Sequence, residues 1–343
     1  MTTISTITEL LKLSGSQYRI YDVGRKIDKL SKEQFEKIEN NQIPYPYPSQ
    51  AHAFIAISFW QSNSEQPYLW FVKLPLDERG LLVQASRNHF IAIILEALGS
   101  DLSADPTQKQ EELLKSNPYN FQPPQYKLAY LNSLINLDLK QAPSQYYEAV
   151  KNYFSSIENL KDWHNIGVQG IADFVVRLED ESHADHLALC FEVLPEQVLV
   201  PTCSALENKP LPLSLLNKII EYVEQNEHTR LMGAVIRSFS SSCEHPHVKS
   251  FFAKLLAQNN VDEEVLIVIA GRCWKVLDDP MLMMSYLEQL VSLNDPEVFP
   301  SVFRDIVAIP ALRPVVFQCM REPKRSEGLA KAIGMLFNQA SKH

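Results

Sequence analysis

A repeat in the second half of the chain is the feature that most restricts its fold. Helical patterns begin at Glu196, Thr229, Asp262 and Asp295, and each start lies 33 residues after the one before it. Each pattern is followed by a short polar break and then by a second helical pattern. A two-helix unit of this length cannot bury its apolar face alone, so neighbouring units must stack. The repeat therefore predicts an α-solenoid.

The second helices of these units are predicted at 211–223, 246–256, 279–293 and 310–320. Earlier pairs are predicted at 126–139 with 145–156 and at 166–178 with 184–193, and a last helix at 326–339 would cap the array. Asp279-Pro280 and Asp295-Pro296 are typical of an N-cap followed by a proline at the first helical position. The Trp, Gly, Tyr and Pro positions of a tetratricopeptide repeat are missing, so the looser HEAT-like helical hairpin fits better.

The first hundred residues mix strand and helix patterns. Predicted helices cover 6–13, 32–40 after an N-cap at Ser31, and 86–98. Predicted strands cover 17–23, 52–60, 68–74 and 80–84. The last three have short connections, which predicts an antiparallel meander. We therefore predict an α+β N-terminal domain with a small antiparallel sheet, followed by an all-α, HEAT-like α-solenoid.

A proline-rich stretch separates these two parts. It contains Asp105-Pro106, Asn117-Pro118 and Pro123-Pro124, with a polar, helix-compatible piece at 108–115. We predict an α+β domain at 1–104, a linker at 105–124 and a helical-repeat domain at 125–343.

Charge and composition exclude several classes of partner. The net charge of −9 and the pI near 5.5 disfavour a nucleic-acid-binding protein, which normally needs a basic face. From residue 121 onward the chain has 27 Asp/Glu against 20 Lys/Arg, so the acidic excess belongs to the helical part. The N-terminus does not resemble a signal peptide, and apolar runs such as Val265–Ala270 are too short to cross a membrane. All five cysteines lie in the second half without a CxxC pair, which favours reduced, buried thiols. We expect a cytoplasmic protein with no membrane partner.

Asp22 and Arg25 form the first candidate ligand-binding pair. They flank a glycine at the end of a predicted strand. An arginine there could hold a phosphate or a carboxylate with its two-pronged guanidinium group. The alternative is a structural salt bridge or a solvated turn.

The second candidate group surrounds the turn at 77–80. Lys73, Asp77 and Arg79 belong to it, and His89 opens the helix that follows. Neighbouring carboxylates, here Asp77 and Glu78, can bind a divalent cation or transfer protons. The alternative is a solvated hairpin turn, because adjacent carboxylates usually point apart into water.

Cys243, His245 and His247 are the nearest approach to a metal-ligand cluster. A zinc site needs a second pair of ligands at matching spacing, and the sequence has none, so the alternative is an inter-helix loop before a proline-started helix. Phosphate loops and nucleophile motifs are missing, and the chain has only 10 glycines. We predict no catalytic residues, no metal and no cofactor, and we favour a protein that is not an enzyme.

Three segments resemble the N-terminal landmarks of a family of uncharacterised bacterial proteins. They are residues 21–25 (YDVGR), 44–48 (PYPYP) and 70–80 (WFVKLPLDERG). The resemblance covers the whole chain and implies a free-standing bacterial cytoplasmic protein, but it implies no catalytic role for any residue. The segment 44–48 either packs on its own domain or offers its tyrosines to a partner.

Two functions remain open from the sequence. The first is a protein-binding adaptor or scaffold, because solenoids offer extended surfaces and an acidic array suits a basic partner. The alternative is a small-ligand sensor or an enzyme with a polar site in the N-terminal domain. Nucleic-acid binding through the array is a third reading, which the charge disfavours.

Overall fold

The structure is a computed structural model that describes residues 4–61, 67–99, 107–179, 182–226, 230–293 and 295–340. The chain divides into two units, Met1–Pro123 with Ala308–Pro310 and Pro124–Val307 with Ala311–His343.

The first unit is built on a four-stranded antiparallel sheet. Its strands are β1 (Gln17–Asp22), β2 (Asp28–Leu30), β3 (His52–Trp60) and β4 (Tyr68–Pro75), in the order β2-β1-β3-β4. The strands predicted at 17–23, 52–60 and 68–74 are confirmed. β2 was not predicted, because three residues are too few to show an alternating pattern.

The predicted strand at 80–84 is wrong. These residues form a turn in which Leu82 makes only an isolated bridge to Leu76. The carboxylate of Asp77 accepts the backbone N–H groups of Arg79 and Leu81, at 2.9 and 2.8 Å, and so folds the chain back at once. The next helix already begins at Gln84, so the segment is too short for a third meander strand.

Four helices accompany this sheet: α1 (Ile7–Leu13), α2 (Lys32–Glu39), α3 (Gln84–Leu98) and α4 (Gln108–Lys115). The N-cap predicted at Ser31 is confirmed, since its hydroxyl accepts the N–H of Gln34. One face of the sheet packs with α1, α2 and α3 around a single apolar core. In this core Ile20 stands directly opposite Ile57, and the partly buried Trp70 stands opposite Ile57 on the other side.

A buried carboxylate joins α2 to α1. Glu39, the last residue of α2, accepts the N–H of Ile7 at 2.6 Å and both the N–H and the hydroxyl of Thr8, at 3.1 and 2.6 Å. These donors include two backbone groups at the start of α1 that have no partner within the helix. Burial raises the pKa of the Glu39 carboxyl, and the hydrogen bonds from Thr8 and Ile7 oppose that shift.

The second unit is a run of helices. They are α5 (Gln125–Asp138), α6 (Tyr147–Phe154), α7 (Val168–Val176), α8 (His183–Cys190), α9 (Glu196–Leu206), α10 (Leu213–Gln225), α11 (Met232–Ile236), α12 (Pro246–Leu256), α13 (Glu263–Gly271), α14 (Pro280–Ser292), α15 (Val298–Ala308), α16 (Arg313–Met320) and α17 (Glu327–Ala340). Each predicted helix is present, with shifted ends. Thr229, one of the four predicted helix starts, lies outside the described residues. The helices α9, α11, α13 and α15 begin at Glu196, Met232, Glu263 and Val298, so their starts do not keep the predicted spacing of 33 residues.

The helices of the second unit stack in two layers. In the first layer α5, α7, α9, α11 and α13 contact one another in succession, and in the second α6, α8, α10, α12, α14 and α16 do the same. Two polar contacts join α10 to α12 in the second layer. Asn217 meets His247 at 2.8 Å, and Glu224 meets Lys254 at 2.9 Å. This arrangement is an α-solenoid, as predicted. In the described part of the chain, no helix combines the length and apolar character needed to span a membrane.

We expect Gly170→Ala to destabilise the second unit. Gly170 lies inside α7, and a Cβ there would lie 2.7 Å from both the carbonyl oxygen of Tyr146 and a methyl of Val150. The helix propensity of alanine would favour the change, but relieving this overlap should cost about 1–3 kcal/mol. Gly334→Ala in α17 is the matched control, and it should raise stability. Beyond the backbone of its own helix, no atom of the described residues lies within 4 Å of its Cβ position. Urea unfolding of both variants checks this, and equal effects would contradict the close approach.

We expect Glu39 to make stability depend on pH. Its folded-state pKa lies above its unfolded value, so the folded protein binds the proton more tightly. The resulting stabilisation is complete below the unfolded pKa and is lost as the pH rises through the folded one. The unfolding free energy of the wild type, minus that of Glu39→Gln, should therefore fall with rising pH, by at most about 1.4 kcal/mol per pH unit. Urea titrations of both proteins at several pH values measure it, and a difference that grows with pH would refute the assignment.

Candidate functional site

Asp22 and Arg25 are both held by the segment 44–48. Asp22 is buried at the end of β1, and its carboxylate accepts the hydroxyl of Tyr45 at 2.6 Å. Burial and the neighbouring Asp22 raise the pKa of Tyr45, so its hydroxyl stays protonated and donates. The buried Arg25 donates from Nε to the carbonyl oxygen of Pro48 at 2.8 Å. Both candidate residues thus bind the protein's own chain.

The segment 44–48 packs on its own unit. Tyr45 is fully buried, and the hydroxyl of Tyr47 donates to Asp28 at 2.9 Å. Gly24 makes room for this arrangement, because a Cβ there would lie 3.3 Å from a carboxylate oxygen of Asp22. The tyrosines of the segment bind carboxylates at the end of β1 and the start of β2.

Asp77 and Arg79 meet in the turn after β4. Besides the two N–H groups described above, the Asp77 carboxylate binds the Arg79 guanidinium at 3.1 Å. The N–H of Leu81 makes the largest contribution to lowering the pKa of Asp77, and Arg79 adds to it. The arginine side chain is mostly exposed. This geometry is that of a solvated turn whose aspartate closes the backbone.

Lys73 and His89 each lie beside an aromatic side chain. Lys73 stands opposite Phe54 in the sheet, with its ammonium 5.2 Å from the centre of that ring. Asp22 stands opposite Ile55, so Lys73 and Asp22 lie on opposite faces of the sheet. His89 is exposed, and its Nδ1 lies 3.2 Å from the hydroxyl of Tyr119. Of the predicted ligand-binding residues, Asp77 therefore pairs with Arg79, and Asp22 and Arg25 both bind the segment 44–48. Lys73 lies on the opposite face of the sheet from Asp22.

Cys243, His245 and His247 lie around the start of α12 with different surroundings. The Cys243 thiol is buried, at 3.4 Å from the carbonyl oxygen of Phe239. His245 is the N-cap and accepts the N–H of His247, whose own ring binds Asn217 on α10. Among the residues that the structure describes, no three His, Cys, Asp or Glu side chains are placed to hold a metal ion.

A buried charge cluster, which the sequence analysis missed, lies at the ends of three first-layer helices. Glu207, with a side chain 0% exposed, accepts Nε of Arg237 at 2.8 Å and lies 3.4 Å from Nε of Arg272. Burial lowers the pKa of Arg237 and the Glu207 carboxylate raises it, with a net upward shift. The three residues are the C-caps of α9, α11 and α13. A comparison of the residues at the C-terminal ends of the predicted helices would have drawn attention to these three.

Tyr126 of α5 completes the cluster. Its ring lies 5.0 Å from the Arg237 guanidinium, and its hydroxyl accepts Nη2 of Arg272 at 3.3 Å. The first helix of the solenoid thus reaches residues on α11 and α13, and the contacts of α5 with α9 agree with this. The cluster therefore joins the start of α5 to the C-terminal ends of α11 and α13.

The second unit also contains an open cavity of about 490 Å³. It lies between the N-terminal ends of α11 and α13 and the loop after α12. Polar groups line most of it, including Arg230, Asn260, Asp262 and Glu264. Gly233 leaves room for the Glu264 carboxylate, because a Cβ at position 233 would lie 3.0 Å from an oxygen of that carboxylate.

One family model matches the chain, over residues 2–337, and its description reads "protein of unknown function (DUF3549)". The chain belongs to this family. The resemblance to an uncharacterised family is thereby confirmed over nearly the whole length. No curated protein and no solved structure matches the chain. Membership in DUF3549 therefore supplies no activity, and the function has to be argued from the geometry.

We expect Glu207→Gln to destabilise this DUF3549 protein by about 2–4 kcal/mol, because it removes the carboxylate from two partly buried arginines. Glu196→Gln is the matched control. Glu196 also pairs with an arginine of the following helix pair, Arg230, but both side chains are exposed, so its loss should cost less than about 1 kcal/mol. Thermal and urea unfolding compare the two variants, and equal losses would show that the cluster adds nothing beyond a surface pair.

Proposed function

We propose that the protein is an adaptor or scaffold of a bacterial cytoplasm that presents its HEAT-like helical array to a protein partner. The observation that carries the proposal is the continuous two-layer stack from α5 to α16. Such stacks leave one long side of each helix facing solvent, and these sides together make an extended surface suited to protein binding.

The charge of the array indicates the chemistry of the partner. The acidic excess lies after residue 120. The exposed carboxylates Glu263 and Glu264 lie at the start of α13, where Glu264 borders the cavity. A partner with a basic surface would associate faster and more selectively with such an array. We therefore propose a protein partner with a basic face, and neither a nucleic acid nor a membrane.

The alternative function, a small-ligand sensor or an enzyme in the first unit, has less support. Asp22, Arg25 and Asp77 use their polar atoms on Tyr45, Pro48 and backbone N–H groups. A ligand would have to displace these contacts before it could bind, and that would cost stability of the sheet.

We expect affinity purification of the tagged, full-length protein from its native cells to recover a stoichiometric protein partner. Glu263→Lys with Glu264→Lys, on the array, should reduce that recovery at least about tenfold. Glu33→Lys with Glu112→Lys, exposed on α2 and α4, is the matched control with the same change of charge. Binding assays with the purified partner give the affinities. Recovery of no stable partner, or an equal loss in the control, would contradict the adaptor proposal and favour the alternative.

A further inference from the structure

Two exposed surfaces that combine apolar and charged side chains lie on the second layer of the solenoid. The first, called the acidic patch, lies on α8, the 3₁₀ turn after it and α10. Its apolar members Leu189, Val193 and Leu213 are 58%, 55% and 54% exposed. Asp185 and Glu192 flank them. Ser214 donates to Asp185 at 3.0 Å, and Lys218 pairs with Glu192 at 2.7 Å, so these contacts fix α10 against α8 on both sides of Leu189.

The acidic patch has a net negative charge. Lys218 is its one ammonium among the described residues, and it is shared with a third carboxylate, Glu221, at 3.1 Å. Three carboxylates therefore stand against one cation. Exposed apolar side chains with a charged rim are the usual composition of a protein-binding surface.

The second patch, called the basic patch, lies at the other end of the same layer. Phe317 on α16 is 44% exposed, and Arg321 follows one turn later on the same face of the helix. Lys324 is exposed in the turn before α17. Within the described part of the chain, neither Arg321 nor Lys324 forms an ion pair, and the carboxylate of Glu322 between them accepts the backbone N–H of Lys324 at 3.3 Å.

The sequence has the same asymmetry of charge. Residues 121–300 contain 24 Asp/Glu and 13 Lys/Arg, whereas residues 301–343 contain 3 and 7. The array is therefore acidic over most of its length and basic at its C-terminal end. One copy cannot bring its own two patches together, because α12 and α14 lie between them in the layer.

We propose that the chain associates head to tail with a second copy of itself, with the basic patch of one copy docked on the acidic patch of the next. Phe317 then packs against Leu189, Val193 and Leu213, while Arg321 and Lys324 pair with the carboxylates around them. Because the two surfaces differ, the contact is heterologous, and successive copies form a ring or an open chain.

The proposal fixes the strength and the salt dependence of the association. Each patch has few apolar side chains, so we expect an affinity of about micromolar or weaker. The charged pairs are at the surface, so added salt should weaken the contact. This association does not depend on the adaptor proposal, since it needs only the purified chain.

Sedimentation velocity over about a hundredfold range of concentration tests the proposal. The average mass of the wild type should rise with concentration and fall with salt. Arg321→Glu with Lys324→Glu, and separately Asp185→Lys with Glu192→Lys, should each keep the protein monomeric. A mixture of these two double variants should associate again, because each reversed patch then meets one of opposite charge. Lys37→Glu with Lys161→Glu, elsewhere on the surface, is the matched control and should associate like the wild type.

A photoreactive phenylalanine analogue at position 189 locates the contact. In cells and with purified protein, it should crosslink to residues 313–325 of a second copy. A wild type that stays monomeric over the whole range overturns the proposal. It is equally overturned by a mixture that stays monomeric, or by crosslinks that reach a different protein or a different part of the chain. Circular dichroism of each variant confirms that loss of association is not loss of folding.

Discussion

Each helix pair of the second unit has apolar side chains on sides that its own two helices cannot cover. In α9 the buried set includes Val198, Leu199 and Cys203, and the neighbours of α9 in its layer are α7 and α11. Burying one such aliphatic side chain is worth about 1.5–3 kcal/mol, so every pair depends on the next. At the end of the stack α17 packs on α14 with Leu329 buried, while its Lys331 and Met335 face solvent. The last helix therefore closes one side of the core and leaves its other side free.

Apolar contacts between helices have no direction, whereas buried charged groups pair only in particular geometries. Glu207 accepts a hydrogen bond from Arg237 and forms an ion pair with Arg272, which are the C-caps of α11 and α13. Asp173 on α7 acts similarly, since it accepts the hydroxyl of Ser144 at 2.5 Å. Replacing such groups by well-packed apolar residues is often neutral or stabilising, whereas removing one partner is costly. The buried charges therefore join α7 to the segment before α6, and the end of α9 to the ends of α11 and α13.

The sequence predicted the parts of the fold that depend on local pattern. The helix pairs followed from periodicity, and the N-caps Ser31 and Asp279 from residue type. The N-cap predicted at Asp295 was wrong, because the helix there begins only at Val298. The false strand at 80–84 arose because its apolar run suits a strand and a buried turn equally well. The Asp77 carboxylate favours the turn over the strand, because it accepts the backbone N–H groups two and four residues later in the chain. The Glu207 cluster was not predictable from periodicity, because Tyr126 and Arg272 are 146 residues apart.

Contacts between residues far apart in the sequence, which a local pattern does not show, also decide which polar groups can bind a partner. Asp22 and Arg25 looked like ligand-binding residues because an aspartate and an arginine flank a glycine. In the folded chain both are buried and bind the segment 44–48, which lies about twenty residues further along. A buried group that already has hydrogen bonds gains little from a ligand, because those bonds must first be broken. Exposed groups such as Arg321, beside an exposed aromatic ring, have no such cost. Binding by this protein should therefore use the surface of the array rather than the polar interior of the sheet.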